Sequence, residues 1–279
     1  MAKRIIWGTL AAATALLVIF LGKLTFTLAV GLVTVLAILE YVELLKKQNL
    51  RPQTEVILLF SVLLLLFVHC KYISIPGLNT IPIKKINTES LFALILICVF
   101  FTTMALELFR GNPEQGLVNV AVNLFGTVYI GFMFAYILLL RFIPNGFFYL
   151  LFVFAVTCGN DSAAYFVGIN FGKHKLSPRI SPQKSVEGSI GGIGGGLIAA
   201  ALLGIGFKKP LLSLLVLAFF VVIAGQFGDL VESIIKRNAG VKDSGSFLPG
   251  HGGILDRLDS LLFAGPVVYY FTIYLPFLK

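Results

Sequence analysis

The sequence predicts an all-α, polytopic integral membrane protein of about nine transmembrane helices, with the chemistry concentrated in its C-terminal half. Three observations predict this. The 279 residues are 58% hydrophobic and 13% charged, and the mean hydropathy is +0.95, more apolar surface than a soluble domain buries. The apolar residues fall into runs close to the roughly 20 needed to cross a hydrocarbon core. These runs lack the alternation of barrel strands, and helices are the default in lipid because they satisfy their own backbone groups.

The runs are 5–22, 24–45, 55–70, 91–109, 116–140, 146–168, 188–207, 210–232 and 260–278, the third being the shortest. The first follows Met1-Ala-Lys-Arg4 like a signal peptide, yet it shows no convincing cleavage site and further runs follow, so it reads as a span. Between the third and fourth runs, segment 71–90 carries Pro76, Gly77 and Pro82 and reads as a loop. Residues 1–145 form an N-terminal region of five spans with a packing or dimerisation role. Those spans hold almost no charges, and Glu40, Glu43 and Glu107 lie near span ends. Residues 146–279 form a C-terminal catalytic region of four spans, and they hold the polar clusters.

The net charge of +9 is not a nucleic-acid signal, because the cations gather in short loops beside anionic headgroups. With nine spans, 14 of the 22 Lys and Arg fall on one side. The positive-inside rule makes that side cytoplasmic. Cys70, Cys98 and Cys158 are far apart and form no CxxC or Cys/His metal pattern.

Charged groups are costly beside a bilayer and are rarely kept there without a task. Between Ser233 and Asp259 the chain nevertheless places Lys236, Arg237, Lys242, Asp243, Asp256, Arg257 and Asp259, with His251 among them. Asp256 and Asp259 are three apart, so on a helix both carboxylates face one way. Oxygen ligands of this kind suit Mg2+, which it shares with substrate phosphates. Arg257, Lys236 and Lys242 are placed to take the remaining phosphate oxygens. The ordinary alternative is a surface salt-bridge lattice, which the number and order of these groups disfavour.

Two further clusters precede that one. Gln226-Phe-Gly-Asp229 lies at the inner end of the eighth run, with Ser233 four residues on and on the same face. Asp161 and Tyr165 share a face late in the sixth run, ahead of a loop carrying Lys173, Lys175, Arg179, Ser181 and Lys184. An ordinary basic loop explains that loop equally well, and Asp161 near membrane depth favours function. The glycines from Gly188 to Gly196 lack a Gly-Lys-Ser/Thr ending and a preceding strand, so they read as close helix packing rather than a phosphate loop.

The run from Ser233 to Asp259 resembles the phosphatidate cytidylyltransferases (CDP-diacylglycerol synthases). Ser233-x-x-Lys236-Arg237, Lys242-Asp243 and Pro249-x-His251-Gly-Gly-x-x-Asp256-Arg257-x-Asp259 fill each fixed position of that family's C-terminal pattern. Asp161, Tyr165, Ser181-Pro182, Lys184, Glu187-Gly188 and Gln226/Gly228/Asp229 also look like the family, whereas the first 145 residues match only in being apolar spans. The resemblance implies transfer of the cytidylyl group of CTP to phosphatidic acid at the cytoplasmic face of the cell (inner) membrane. It implies Mg2+, with or without a second cation, on Asp229, Asp256 and Asp259, with Asp161 as a weaker candidate. Lys236 and Arg257 join the three aspartates as catalytic residues. Substrate contact is expected from Asp161, Tyr165, Lys173, Ser181, Lys184, Ser233, Arg237, Lys242 and His251. Membrane lipids and a homodimer complete the expected partners, and nucleic acid is not among them. A CTP-dependent polyprenol or other lipid kinase is the nearest rival. A transporter is the rival from another class, although its charges would sit nearer the bilayer midplane.

Overall fold

The computed structural model describes residues 13–72, 87–111, 114–245 and 252–275. Residues 13–20 are helical. The named helices are α1 (Lys23–Lys47), α2 (Thr54–Tyr72), α3 (Thr88–Arg110), α4 (Gly116–Phe142), α5 (Gly146–Phe171), α6 (Val186–Gly206), α7 (Leu211–Asn238) and α8 (Leu255–Tyr274). Among the described residues, the seven helices α1 to α7 are long and apolar enough to cross a membrane, and the protein is an integral membrane protein. The helix α8 is 20 residues long, opens on Asp256 and holds Pro266 inside it. Residues 5–12 of the expected first span lie outside the described residues, as does most of the 71–90 loop.

The chain forms two compact units. The first comprises the described residues up to Phe142 together with those of Asn238–Leu255. In it α1 packs on α2 and α4, α2 also packs on α3 and α4, and α3 packs on α4. A π-helical stretch, Thr127–Phe132, interrupts α4. The Tyr41 hydroxyl donates to the Val122 carbonyl at 2.8 Å, just ahead of that stretch.

Glu107, an acid inside a span, has a structural task here. Its Oε1 accepts from Gln53 Nε2 at 2.7 Å and from Arg110 Nη1 at 2.7 Å, and its Oε2 accepts from Asn119 Nδ2 at 3.2 Å. Asn123 Oδ1 takes the Gln53 backbone N–H at 2.8 Å. The turn between α1 and α2 is thereby tied to α3 and α4 through groups buried away from water.

The second unit comprises Ile143–Arg237 and the described residues from Asp256 onward. Its main feature is the long contact of α5 with α6. Gly188, Gly192, Gly196, Ala200 and Gly204 form a buried stripe down α6. A Cβ on Gly159 would lie 2.9 Å from the Gly195 carbonyl oxygen and 3.0 Å from the Ala199 methyl. The glycine run is therefore helix packing, as its sequence context implied.

The basic loop after α5 is not irregular. Residues Lys175–Ser177 (β1) and Ser181–Ser185 (β2) pair as a short antiparallel hairpin. Sequence reading missed it because strands of three and five residues carry too little alternation to register. Ser185 ends the hairpin and starts α6, its Oγ accepting the Gly188 N–H at 3.1 Å. Glu187 accepts the backbone N–H groups of Lys173 (3.0 Å) and His174 and pairs with the His174 ring at 2.6 Å. The exit of α5, the hairpin and the entry of α6 are thus one connected corner.

Candidate active site

The site is built in the second unit from α5, the hairpin, α6, α7 and the first turn of α8. Its acidic centre is Asp229, Glu232 and Asp259, which present carboxylate oxygens all within 4.8 Å of one another. Asp229 and Glu232 are three apart on α7, so one face carries both. Asp259 comes from α8, and small residues allow α8 to come so close to α7. A Cβ at Gly228 would lie 2.5 Å from the Asp259 carbonyl oxygen and one at Gly225 3.4 Å from Ser260 Cβ. Glu232 is 1% exposed and Asp259 9% exposed.

Two lysines partly offset this charge. Lys184, from β2, pairs with Asp229 Oδ2. Lys236, one turn beyond Glu232 on α7, pairs with Glu232 Oε2 and donates to Asp256 Oδ1 at 2.6 Å. The Oε1 of Glu232 is buried and accepts no hydrogen bond from the described residues. Three crowded carboxylates, two of them removed from water and one with an unpartnered oxygen, fit a hard cation with oxygen ligands.

Asp229 also lines a cleft of about 640 Å³, together with Asn160, Asp161, Tyr165, Ser181 and Lys184. That volume is in the usual range for a small-molecule site. A chain of amides orients Asp161. Gln226 Nε2 donates to Asn160 Oδ1 at 2.8 Å and to the Ser189 carbonyl at 3.0 Å, its Oε1 accepts from the Ser189 hydroxyl, and Asn160 Nδ2 donates to Asp161 Oδ1 at 2.8 Å. The Gln226 amide is thereby fully engaged inside the protein.

Several residues expected from sequence meet here: Asp161, Tyr165, Ser181, Lys184 and Asp229 on the cleft, and Asp229 with Asp259 in the acidic centre. Asp256, expected beside Asp229 and Asp259, is the partner of Lys236, and Glu232 occupies the third acidic position. Ser233 is buried on α7. Arg237 Nε donates to the Ile180 carbonyl in the hairpin turn at 3.1 Å. Arg257 is exposed on the first turn of α8, and Lys173 is exposed at the α5 exit. Lys242 is exposed in the 238–255 segment of the first unit. His251 lies outside the described residues.

Sequence reading missed Glu232 and Ser189. For Glu232 the signal existed: an acid three residues after Asp229 and four before Lys236 is on the same helix face as both. Ser189 gave none, because a single polar residue in a span is commonly a local helix bond.

A model of the cytidylyltransferase family matches residues 2–275. The phosphatidate cytidylyltransferase of Bacillus subtilis (strain 168) is 36% identical over 273 residues, 97% of each chain. That of Staphylococcus haemolyticus (strain JCSC1435) is 36% identical over 93% of this chain and 96% of its own. The namesake from Synechocystis is 31% identical over 98% of this chain and 97% of its own. The similarity runs through the apolar first half as well as the motif-bearing second half. With an acidic centre beside a lysine-lined cleft in a membrane-spanning chain that this model matches from end to end, the protein belongs to the cytidylyltransferase family.

Proposed function

We propose that this chain transfers the cytidylyl group of CTP to phosphatidic acid, giving CDP-diacylglycerol and pyrophosphate. The observation that carries this reading is Asp229, which belongs to both the acidic centre and the cleft. A metal-bound triphosphate and a substrate in the cleft meet at that residue. The names of the relatives supply the substrates.

Asp229 and Asp259 would hold a divalent cation, with Glu232 as the third acid, and Mg2+ would suit these oxygen ligands and bound phosphate. Asp256 orients Lys236. When bound, the ion neutralises charge on the phosphates it touches. An oxygen of the lipid phosphate forms a bond to the α-phosphorus of CTP, and the bond from that phosphorus to the bridging oxygen breaks, releasing pyrophosphate. The attacking oxygen is already an anion, so no general base is required. The barrier is repulsion between two polyanions, and positioned cations lower it. Lys184 moves from Asp229 to a phosphate oxygen as substrate enters, and Tyr165 and Ser181 line its path. Arg257, Lys236, Arg237 and Lys173 supply the surrounding positive charge, with Ser233 on α7 beside Glu232. The site faces the cytoplasm, the side on which most of the basic residues gather.

Product analysis tests the reaction. Purified protein with CTP, phosphatidic acid and Mg2+ is expected to release pyrophosphate. Release of CDP with a phosphorylated lipid instead identifies a CTP-dependent kinase and overturns the proposal. Lys184→Ala is expected to raise KM for one phosphate substrate about tenfold, the loss of a charge-assisted hydrogen bond worth about 1.5–3 kcal/mol. Unchanged KM for both substrates removes Lys184 from the phosphate site.

A further inference from the structure

The chemistry of the second half leaves one buried acid of the first half without a role. Glu40 sits two turns from the end of α1 and is 8% exposed. Its carboxylate accepts three hydrogen bonds, all from the segment that leads into α8. Oε1 takes the Ile254 N–H at 2.8 Å, and Oε2 takes the Leu255 N–H at 3.0 Å and the Ser244 hydroxyl at 3.0 Å. All four residues belong to the first unit.

These donors are what a helix start leaves unpaired. Leu255 is the first residue of α8, and the opening N–H groups of a helix have no partner within it. A side chain of the same segment ordinarily caps them. Here the cap comes from a helix about 200 residues earlier in the chain, and it is a carboxyl group set against the positive end of the helix. The backbone is shaped to admit it. A Cβ on Gly245 would lie 2.8 Å from Glu40 Oε1, and one on Gly253 would overlap both Ser244 Oγ and the Glu40 carboxylate. The second glycine of His251-Gly252-Gly253 is therefore required by the approach of Glu40. The residue after Leu255 is Asp256, followed by Arg257 and Asp259 in the same turn of helix.

We propose that Glu40 is a positioning residue for the transfer reaction. Its carboxylate pins the start of α8 and so fixes the direction in which the first turn presents Asp256, Arg257 and Asp259. The role rests on the reaction assigned above, while the anchor itself does not. Glu40→Gln preserves size but turns one acceptor into a donor facing donors, so at most one oxygen still accepts. Misplacing reacting groups by about 1 Å costs on the order of 100-fold in rate.

The experiment has two readouts on the full chain in detergent. The first is hydrogen–deuterium exchange of the peptide over 252–260, which reports the anchor whether or not the enzyme turns over. The second is CTP- and phosphatidic-acid-dependent pyrophosphate release, resolved into kcat and KM. For Glu40→Gln we expect faster exchange in that peptide and a fall in kcat of about 10–100-fold, with KM for CTP changed much less. Glu43→Gln, an exposed acid one turn along α1, is the control and should change neither. Ser244→Ala removes one bond of the three and should give an intermediate effect, which keeps the test decisive if Glu40→Gln does not fold. Unchanged exchange overturns the anchor. Faster exchange with unchanged kcat overturns the positioning role. A wild-type protein that releases no pyrophosphate refutes the reaction and leaves the exchange result to judge the anchor.

Discussion

Asp259→Ala is expected to bring cytidylyl transfer to background. The loss should exceed by far the roughly 10–100-fold typical of removing a group that only supports a metal ligand. The reasoning is electrostatic. Asp229, Glu232 and Asp259 gather their oxygens within 4.8 Å, and Asp259 is the one member contributed by α8. Without it, α7 offers two acids three residues apart, and Lys184 and Lys236 already pair with these two. The negative charge left to attract a divalent ion and to offset its dehydration is then largely balanced by the two lysines, Lys236 being shared with Asp256. Removing a buried carboxylate should not unfold the chain, since it relieves repulsion at the centre. Activity measured against Mg2+ concentration, beside a thermal melt, checks both statements. Full activity with an unchanged Mg2+ requirement would remove Asp259 as a ligand. Glu232→Gln separates the acids further. If Glu232 is a ligand, its variant needs more Mg2+. If it only holds Lys236, the Mg2+ requirement is unchanged and kcat alone falls.

Gly228→Ala should be nearly as damaging, and for a different reason. On an isolated helix the change is favourable by about 1 kcal/mol. Here the new Cβ would sit 2.5 Å from the Asp259 carbonyl oxygen and 2.7 Å from a Phe263 ring carbon. The ring can turn aside, but the carbonyl is helix backbone, so α8 must move away from α7. A clash of this kind costs about 1–3 kcal/mol, which roughly cancels or exceeds the propensity gain. Stability is therefore expected to fall only modestly. Catalysis is less tolerant, since a site must be held to about 0.5 Å. We expect kcat/KM to fall about 10–100-fold, with a higher Mg2+ requirement and a melting point within a few degrees of wild type. A fall in melting point without a catalytic defect would show that the α7–α8 spacing does not set the ion site.

These two variants separate what the chain order reveals from what it hides. The apolar runs foretold the seven membrane-crossing helices among the described residues, because lipid allows few other solutions to the backbone hydrogen-bond problem. The Ser233–Asp259 run gave the family, since its spacing of acids and cations is dense and specific. Family membership was legible, yet the wiring of the site was not. Asp256 and Asp259 differ by three residues in sequence, and only the rotation of α8 against α7 sends Asp256 to Lys236 and Asp259 to Asp229. The glycines from Gly188 to Gly196 were readable as packing residues, but the contact of Gly195 with Gly159 was not.

The sequence by itself determined that this is a helical membrane protein with a cluster of acids and cations in its C-terminal half, because hydropathy, helical period and motif spacing are local properties. Only the tertiary structure decided which acids share a centre, which lysines are already paired, and that Glu40 caps a helix about 200 residues away. Those outcomes depend on helix rotation and on close approach at glycines such as Gly228 and Gly253, and neither is encoded in any short stretch of chain.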